Sequence, residues 1–366
     1  MSDQLTKLHV RKAALTETKV TKTALRDLLD GEVLMEVEGF ALTANNITYA
    51  VFGEQMKYWN FFPAEEAAGE GYGVVPVWGH AKVLASKHEQ IEVGERVYGY
   101  LPMASHVIVS PGKISKGGFT DVAPHRQEMA GIYNDYRRLA ADPAHDASLE
   151  SERSLFSPLF TTSFLIEDMF KRGEWNGAEA LVMTSASSKT AMGLAHVARA
   201  NSPEIKRIGL TSPSNVAFVE KTGLYDEVVA YDEISSLDNS RPTVSVDFAG
   251  NGAVLAAIHA HWNDNLKFSS MVGATHIEAR SGGQELAGPT PILFFAPTVA
   301  ETVIADIGPA AFGQNLGVRW QDFVGLAASL VSVTNLNGAE AVEPAYQEML
   351  AGRTGPDEGL ICSIAS

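Results

Sequence analysis

Cysteine is all but missing from this chain. Its 366 residues include one, Cys362, which excludes an intramolecular disulfide and any cysteine-rich zinc site. Positive charge is short as well. Against 44 Asp and Glu stand 28 Lys and Arg, a formal net charge of −16, and such a surface repels nucleic acid. Long apolar runs are lacking: no stretch approaches the roughly 20 apolar residues needed to span a bilayer. The opening MSDQLTKLHVRKAAL has no continuous apolar core of the signal-peptide kind, so the expectation is a cytoplasmic protein. Internal repeats and low-complexity tracts are also absent. What is present is 45% hydrophobic and 20% charged, the balance of a folded protein long enough for two cores.

Residues 1–125 read as β-rich. Glu32–Phe40 alternates partly between polar and apolar residues, and strand-like runs follow at Val74–Ala85 and Arg96–Val109, broken by a turn at Glu92–Glu95. Residues 126–155 turn polar, and the pattern there predicts a solvated linker rather than a binding lid. From about 156 the grammar becomes alternation. A helix is predicted at Phe160–Lys171, then strands at Glu179–Thr184, Ile205–Leu210, Glu227–Ala230, Thr243–Asp247, Lys267–Gly273 and Pro291–Phe295. Helices at Asn215–Lys221 and Gly252–His261 fall between them. Strands alternating with short helices predict an α/β fold with a parallel, doubly wound sheet. The tail predicts helices near Trp320–Val331 and Gly338–Ala351 and a last strand at Gly359–Ile364.

The most informative stretch is Ala180–Ala191, ALVMTSASSKTA. An apolar strand runs into a small, hydroxyl-rich turn and then into a helix with Ala191, Leu194, Ala195 and Ala198 on one face. Strand, small-residue turn and helix aim backbone N–H groups and a helix dipole at a phosphate. The usual glycines are missing. Ser187 and Ser188 stand where two would be typical, and Thr190 where the third would pack on the sheet. Pattern alone serves a buried βα unit without ligand as well as a dinucleotide site. His259-Ala-His261 has H-x-H spacing, but on a helix those side chains diverge, and the pattern predicts a solvated helix end rather than a metal site.

Four places together resemble the medium-chain dehydrogenase/reductase superfamily over nearly the whole chain. Glu32–Gly39 followed by Ala44-Asn45-Asn46-Ile47-Thr48-Tyr49 is similar to the family's strand and active-site loop. Val93–Gly99 is similar to its Gly-Asp-Arg-Val-x-Gly turn, ALVMTSASSKTA to its phosphate turn, and Val246-Asp247-Phe248-Ala249-Gly250 to its fourth-strand Val-Asp-x-x-Gly. Within the superfamily the resemblance is to zinc-free quinone and enoyl reductases, as a divergent subgroup. It implies a GroES-like catalytic domain at 1–155, a Rossmann domain at 156–300 and a C-terminal return to the first domain at 301–366. A homodimer paired near Ile292–Phe295 is implied as well, and a small, apolar or conjugated carbonyl substrate as the partner.

In zinc-free members of such a family the nicotinamide carries the hydride, and the protein orients substrate and stabilises developing charge. The resemblance puts Tyr49 forward as donor to an enolate, with a ring packed in the core as the alternative. Asn46 is put forward to hold the carbonyl or the nicotinamide amide. Tyr58, Trp59, Phe61 and Phe62 wall an apolar pocket or belong to the core. The cofactor's phosphates are placed over Ser185, Ala186, Ser187, Ser188, Lys189 and Thr190. The segment after the second strand, Thr211-Ser212-Pro213-Ser214-Asn215, has no acid to bind a ribose 2′-hydroxyl, which favours NADP over NAD. Asn215 aligns with a Lys, and Tyr231 with a Tyr, of the family's NADP binders. Phe248, Gly250 and Gly273 complete the expected cofactor contacts, and His276 is either a titrating neighbour of the substrate or an ordinary loop histidine. The function so implied is zinc-independent, NADPH-dependent reduction of an activated double bond in an enone, enoyl thioester or quinone. Carbonyl reduction on the same scaffold, or an inactive nucleotide-binding regulatory protein, stands beside it.

Overall fold

A computed structural model describes residues 4–272 and 286–365. The chain divides into two compact units, residues 1–155 with 332–366, and residues 156–331.

The first unit opens with a hairpin, β1 (Gln4–Arg11) and β2 (Ala14–Ala24), and continues with β3 (Val33–Leu42) and the short helix α1 (Ala44–Val51). Then come β4 (Tyr72–Gly73), β5 (Pro76–Ser86), β6 (Arg96–Pro102), β7 (His106–Val109), β8 (Pro111–Gly112), β9 (Gly118–Asp121) and β10 (Asp135–Arg138). The alternation read in β3 is real at first: Val33, Met35 and Val37 are buried, each such side chain contributing about 1.5–3 kcal/mol. The pairing with β5 then shifts register between Val37 and Gly39, and Phe40, Ala41 and Leu42 are buried in succession. Gly79 on β5 is required there, since a Cβ would stand 2.1 Å from the Gly39 carbonyl oxygen.

The helix α2 (Glu150–Arg172) belongs to the first unit up to residue 155 and to the second from 156. The second unit then runs β11 (Ala180–Met183), α3 (Lys189–Asn201), β12 (Lys206–Thr211), α4 (Val216–Thr222), β13 (Glu227–Ala230), β14 (Thr243–Asp247), α5 (Gly252–Trp262), β15 (Leu266–Met271) and β16 (Ile292–Leu293). Its described strands pair in parallel in the order β13-β12-β11-β14-β15-β16, the doubly wound order in which the chain reverses beside its first strand. All four residues of β11 are buried, as a central parallel strand covered on both faces must be. Two helices, α6 (Ala296–Ile307) and α7 (Pro309–Leu330), stay in this unit. The return to the first unit is β17 (Ser332–Asn337), α8 (Ala339–Leu350) and β18 (Glu358–Ser363), and β18 pairs antiparallel with β3. Thus 301–331, read above as part of the return, lies in the second unit, and the return covers 332–366.

The region 126–155 is not a solvated linker. Arg126 is 1% exposed, sits 3.3 Å from the Asp121 carboxylate and lies over the Phe62 ring. Tyr136 on β10 is buried and donates to the Tyr100 carbonyl. Arg153 pairs with Asp142, and Arg96 forks onto Glu150. These charges of the stretch are paired inside the unit, while Glu128, Asp135, Arg137 and Asp146 stay exposed. No helix among the described residues is long and apolar enough to cross a membrane.

Candidate functional site

The hydroxyl-rich turn lies where the strand-turn-helix pattern places it, between β11 and α3. Ser188 is the N-cap of α3, and its Oγ accepts from the Ala191 N–H. Ser187 Oγ accepts from the Asn215 amide at 3.2 Å. Each of these oxygens thus accepts from the chain itself, and among the described residues neither hydroxyl donates, so each can offer its O–H proton to an outside acceptor such as a phosphate oxygen. Ser185 takes the left-handed conformation (φ 47°) that favours glycine, and its N–H donates to the Tyr231 hydroxyl at 2.8 Å. Burial raises the pKa of Tyr231, so that hydroxyl stays protonated. Ala186 is fully buried, its N–H on the Leu210 carbonyl and its own carbonyl on the Tyr225 hydroxyl.

A close approach of α3 occurs at Gly193, against the helix α2. A Cβ on Gly193 would stand 2.7 Å from Ser163 Oγ of α2, which itself donates to the Thr190 carbonyl. Gly209 on β12 marks a second, where a Cβ would stand 2.9 Å from the Ala186 side chain. Both glycines were visible in the sequence, but outside the spacing that the motif prescribes. Lys189 stands with its ammonium 5.7 Å from the Phe156 ring centre.

Around the turn, Thr211 is buried at the end of β12, and the Ser212 and Ser214 hydroxyls hydrogen-bond each other at 3.1 Å. After β14, the Phe248 N–H donates to the Thr184 hydroxyl, and the Gly250 N–H to the Asp247 carboxylate. Gly273 and His276 lie outside the described residues. His259 does not lie at a solvated helix end. It is 0% exposed, with Nδ1 on the Ala287 carbonyl and Nε2 on the Ser269 hydroxyl, a strut between α5, β15 and the segment before β16. Among the described residues no three His, Cys, Asp or Glu side chains converge as a metal site.

In the first unit the segment Ala44–Val51, read as a loop by resemblance, is the helix α1. Asn46 starts it: its Oδ1 accepts from the Thr43 N–H at 2.7 Å, and its Nδ2 donates to the Pro76 carbonyl. That amide anchors the helix to β5. Three residues on, Tyr49 shares its buried face and is 5% exposed. Its ring centre lies 4.6 Å from that of Tyr58 and 5.4 Å from that of Tyr100. Tyr133 stands 4.8 Å from Tyr100, and Trp78 5.1 Å from Tyr100. The Trp78 Nε1–H donates to the Tyr49 hydroxyl at 3.0 Å, and the Tyr58 and Tyr133 hydroxyls are 3.2 Å apart. Burial pushes the phenols of Tyr49, Tyr100 and Tyr133 well above the usual tyrosine range. The Tyr100 hydroxyl is buried with no hydrogen-bond partner among the described residues. Trp59, by contrast, packs onto Gly53 and Gly73, and Phe62 lies under the Arg126 guanidinium. Sequence reasoning missed Trp78, Tyr100 and Tyr133. The one local signal was Trp78 and Tyr100 on strands, at positions sharing a face with other aromatics.

No curated protein matches this sequence. Among solved structures, the chain is similar to CurA from Vibrio vulnificus, at 13% identity, TM-score 0.60 and 98% of each chain covered. It is also similar to a mutant form of enoyl thioester reductase from Candida tropicalis, at 12% identity, TM-score 0.60, and 98% of this chain and 99% of that one covered. A third, S. aureus TarJ in complex with NADPH, has 12% identity, TM-score 0.58 and the same coverage. The fold is that of the medium-chain dehydrogenase/reductases, a GroES-like unit with a Rossmann unit. In sequence, residues 40–355 match the family described as "Protein of unknown function (DUF2855)", and the chain belongs to that family.

Proposed function

We propose that this protein is a zinc-independent, NADPH-dependent oxidoreductase that reduces an activated double bond in an enone, enoyl thioester or quinone. The observation that carries the reading is the serine turn at the start of α3, where Ser187 and Ser188 each accept internally and keep a proton to donate. TarJ and CurA have been solved with NADPH, which supports the same cofactor here. Ser185 to Thr190 would hold its diphosphate, with Ala186 and Thr211 as the buried floor. Ser212, Asn215 and Tyr231 would face the 2′-phosphate, in a segment without an acid. Phe248, Gly250 and Gly273 would take the remaining contacts. Bound there, the cofactor supplies a hydride to the substrate.

The chain's own residues do the rest. Asn46 caps α1 and thereby sets the position of Tyr49. Tyr49 gives its phenol proton to the enolate left by hydride addition. The single cysteine leaves a cysteine-ligated zinc without its ligands, and elemental analysis showing stoichiometric zinc would overturn that part. Pairing of two copies through β16 is part of the proposal, supported by Ile292 at 54% exposure on a sheet edge. A monomer mass by light scattering would count against it.

One test serves both cofactor and reaction. Quenching of the five tryptophans by added NADPH reads binding. NADPH oxidation is then followed with 2-cyclohexen-1-one, a trans-2-enoyl thioester, 1,4-benzoquinone and a simple aldehyde. Turnover of any of the first three supports the proposal, and turnover of the aldehyde alone makes the protein a carbonyl reductase. A second reading, a regulatory protein on this scaffold, is favoured by the strained Ser185 in place of glycine. Nucleotide binding with no turnover, or no binding at all, would put that reading first.

A further inference from the structure

The Tyr49 hydroxyl is held from one side by a donor. An indole N–H donates and never accepts, so at the 3.0 Å contact Trp78 makes the Tyr49 oxygen an acceptor. Tyr133 stands near it, ring centre 6.2 Å from that of Tyr49 and hydroxyl paired with that of Tyr58. With its oxygen occupied in this way, the phenol proton is directed away from Trp78. Buried phenols resist ionisation because a buried anion lacks water's hydrogen bonds. A donor already aimed at the oxygen replaces part of that hydration for the tyrosinate.

Resting on the reading of Tyr49 as the proton donor, we propose that Trp78 is a positioning residue that orients its proton toward substrate and holds the tyrosinate formed when the proton leaves. The step balances simply. The Tyr49 O–H bond breaks, the proton joins the substrate enolate, and the electron pair stays on the phenol oxygen that faces the Trp78 N–H. A proton from solvent then restores the phenol. The titratable groups that face Tyr49 are phenols themselves, Tyr58, Tyr98, Tyr100 and Tyr133. A neutral phenol can turn to donate or to accept, whereas the indole N–H only donates, which makes Trp78 the fixed donor of the set.

A double-mutant cycle tests this on the full-length protein, with 2-cyclohexen-1-one and a trans-2-enoyl thioester as substrates. Trp78→Phe keeps an aromatic ring and removes the N–H. It should lower kcat by about tenfold in the Tyr49 protein, with KM and NADPH affinity within about twofold, and have no effect in the Tyr49→Phe background. A packing role would lower turnover in both backgrounds. The solvent deuterium isotope effect on kcat should rise in Trp78→Phe as proton donation becomes slower.

A readout without turnover completes the test. In protein labelled with 15N-tryptophan, the indole signal missing from Trp78→Phe identifies Trp78, and Tyr49→Phe should move it. An unmoved signal overturns the proposal. Wild-type turnover in Tyr49→Phe, or no turnover of any substrate by the wild type, removes the Tyr49 reading and this inference with it. Slow Tyr49→Phe with wild-type turnover in Trp78→Phe overturns this inference alone.

Discussion

Two regions of this chain gather hydroxyl groups, and they are built in opposite ways. The turn Thr184–Ser188 draws its hydroxyls from residues close in sequence: buried Thr184 donates to the Asp247 carboxylate, and half-buried Ser187 and Ser188 each accept one internal bond. The set around Tyr49 draws them from α1, β6 and the short turns holding Tyr58 and Tyr133, all buried, and leaves the Tyr100 hydroxyl without a partner among the described residues. The cap at Ser188 is local to the turn, while Asp247, Tyr231 and Asn215 supply partners to Thr184, Ser185 and Ser187. A dispersed set exists only once the sheet is formed, and an unsatisfied buried hydroxyl there costs about 1–3 kcal/mol.

The largest effect expected from breaking this contrast is on chemistry. Tyr49→Phe keeps the ring in its packing and should lower kcat tenfold to a thousandfold, about 1.4–4 kcal/mol on the barrier, with NADPH affinity unchanged. Steady-state kinetics with the enone checks it, and wild-type turnover would return Tyr49 to the core. Next comes Gly193→Val, which forces side-chain atoms onto Ser163 and Phe160 and should destabilise the second unit by about 1–3 kcal/mol. Urea unfolding reads it, and Ser163→Gly in the same chain should recover part of the loss; wild-type stability would mean that α3 and α2 adjust freely.

Ser212→Asp is expected to act on the turn side alone. A carboxylate beside the 2′-phosphate should erase a preference for NADP over NAD of at least tenfold, about 1.4 kcal/mol, while leaving Tyr49 chemistry intact. Calorimetry with both nucleotides decides, and equal affinities in the wild type would refute the preference itself. The smallest effect compares the units by pH. His80 in the first and His196 in the second are each buried, and burial lowers both pKa values from 6.5 to about 4. As pH falls from 6.5 toward 4 the unfolded chain takes up protons that the folded one refuses, so stability falls over that window. Among the described residues neither ring nitrogen of His196 has a partner, and its ring faces Phe323 at 5.2 Å. His196→Phe should therefore flatten the acid loss of the second unit and leave that of the first, read by unfolding at pH 5 and pH 7.

The second unit was largely legible. Its parallel strands are covered on both faces and so appear as apolar runs, and β11, β12, β13 and β14 fall within a residue or so of the predicted ranges. The turn was legible because capping by Ser188 is a local act. Gly193 was not, because which glycine meets a neighbouring helix depends on where α2 lies, not on spacing within the motif. His259 was misjudged for a similar reason: its polarity suggests solvent, while Ser269 and the Ala287 carbonyl supply both partners it needs inside. The stretch 126–155 misled most. Arg126, Arg153, Asp142 and Glu150 look like a wet surface one by one, and only their mutual pairing with Asp121 and Arg96 allows burial.

By itself, then, the sequence determined the alternation of strands and helices, the hydroxyl turn at the start of α3 and the absence of an acid after β12, since each depends on neighbours in the chain. The tertiary structure alone decided that Asn46 ties α1 to the Pro76 carbonyl of β5, that 301–331 belongs with the second unit, and that Trp78 reaches Tyr49. Contacts between residues 29 or more apart carry no periodicity, and the hydrogen bond that orients the Tyr49 phenol is one of them.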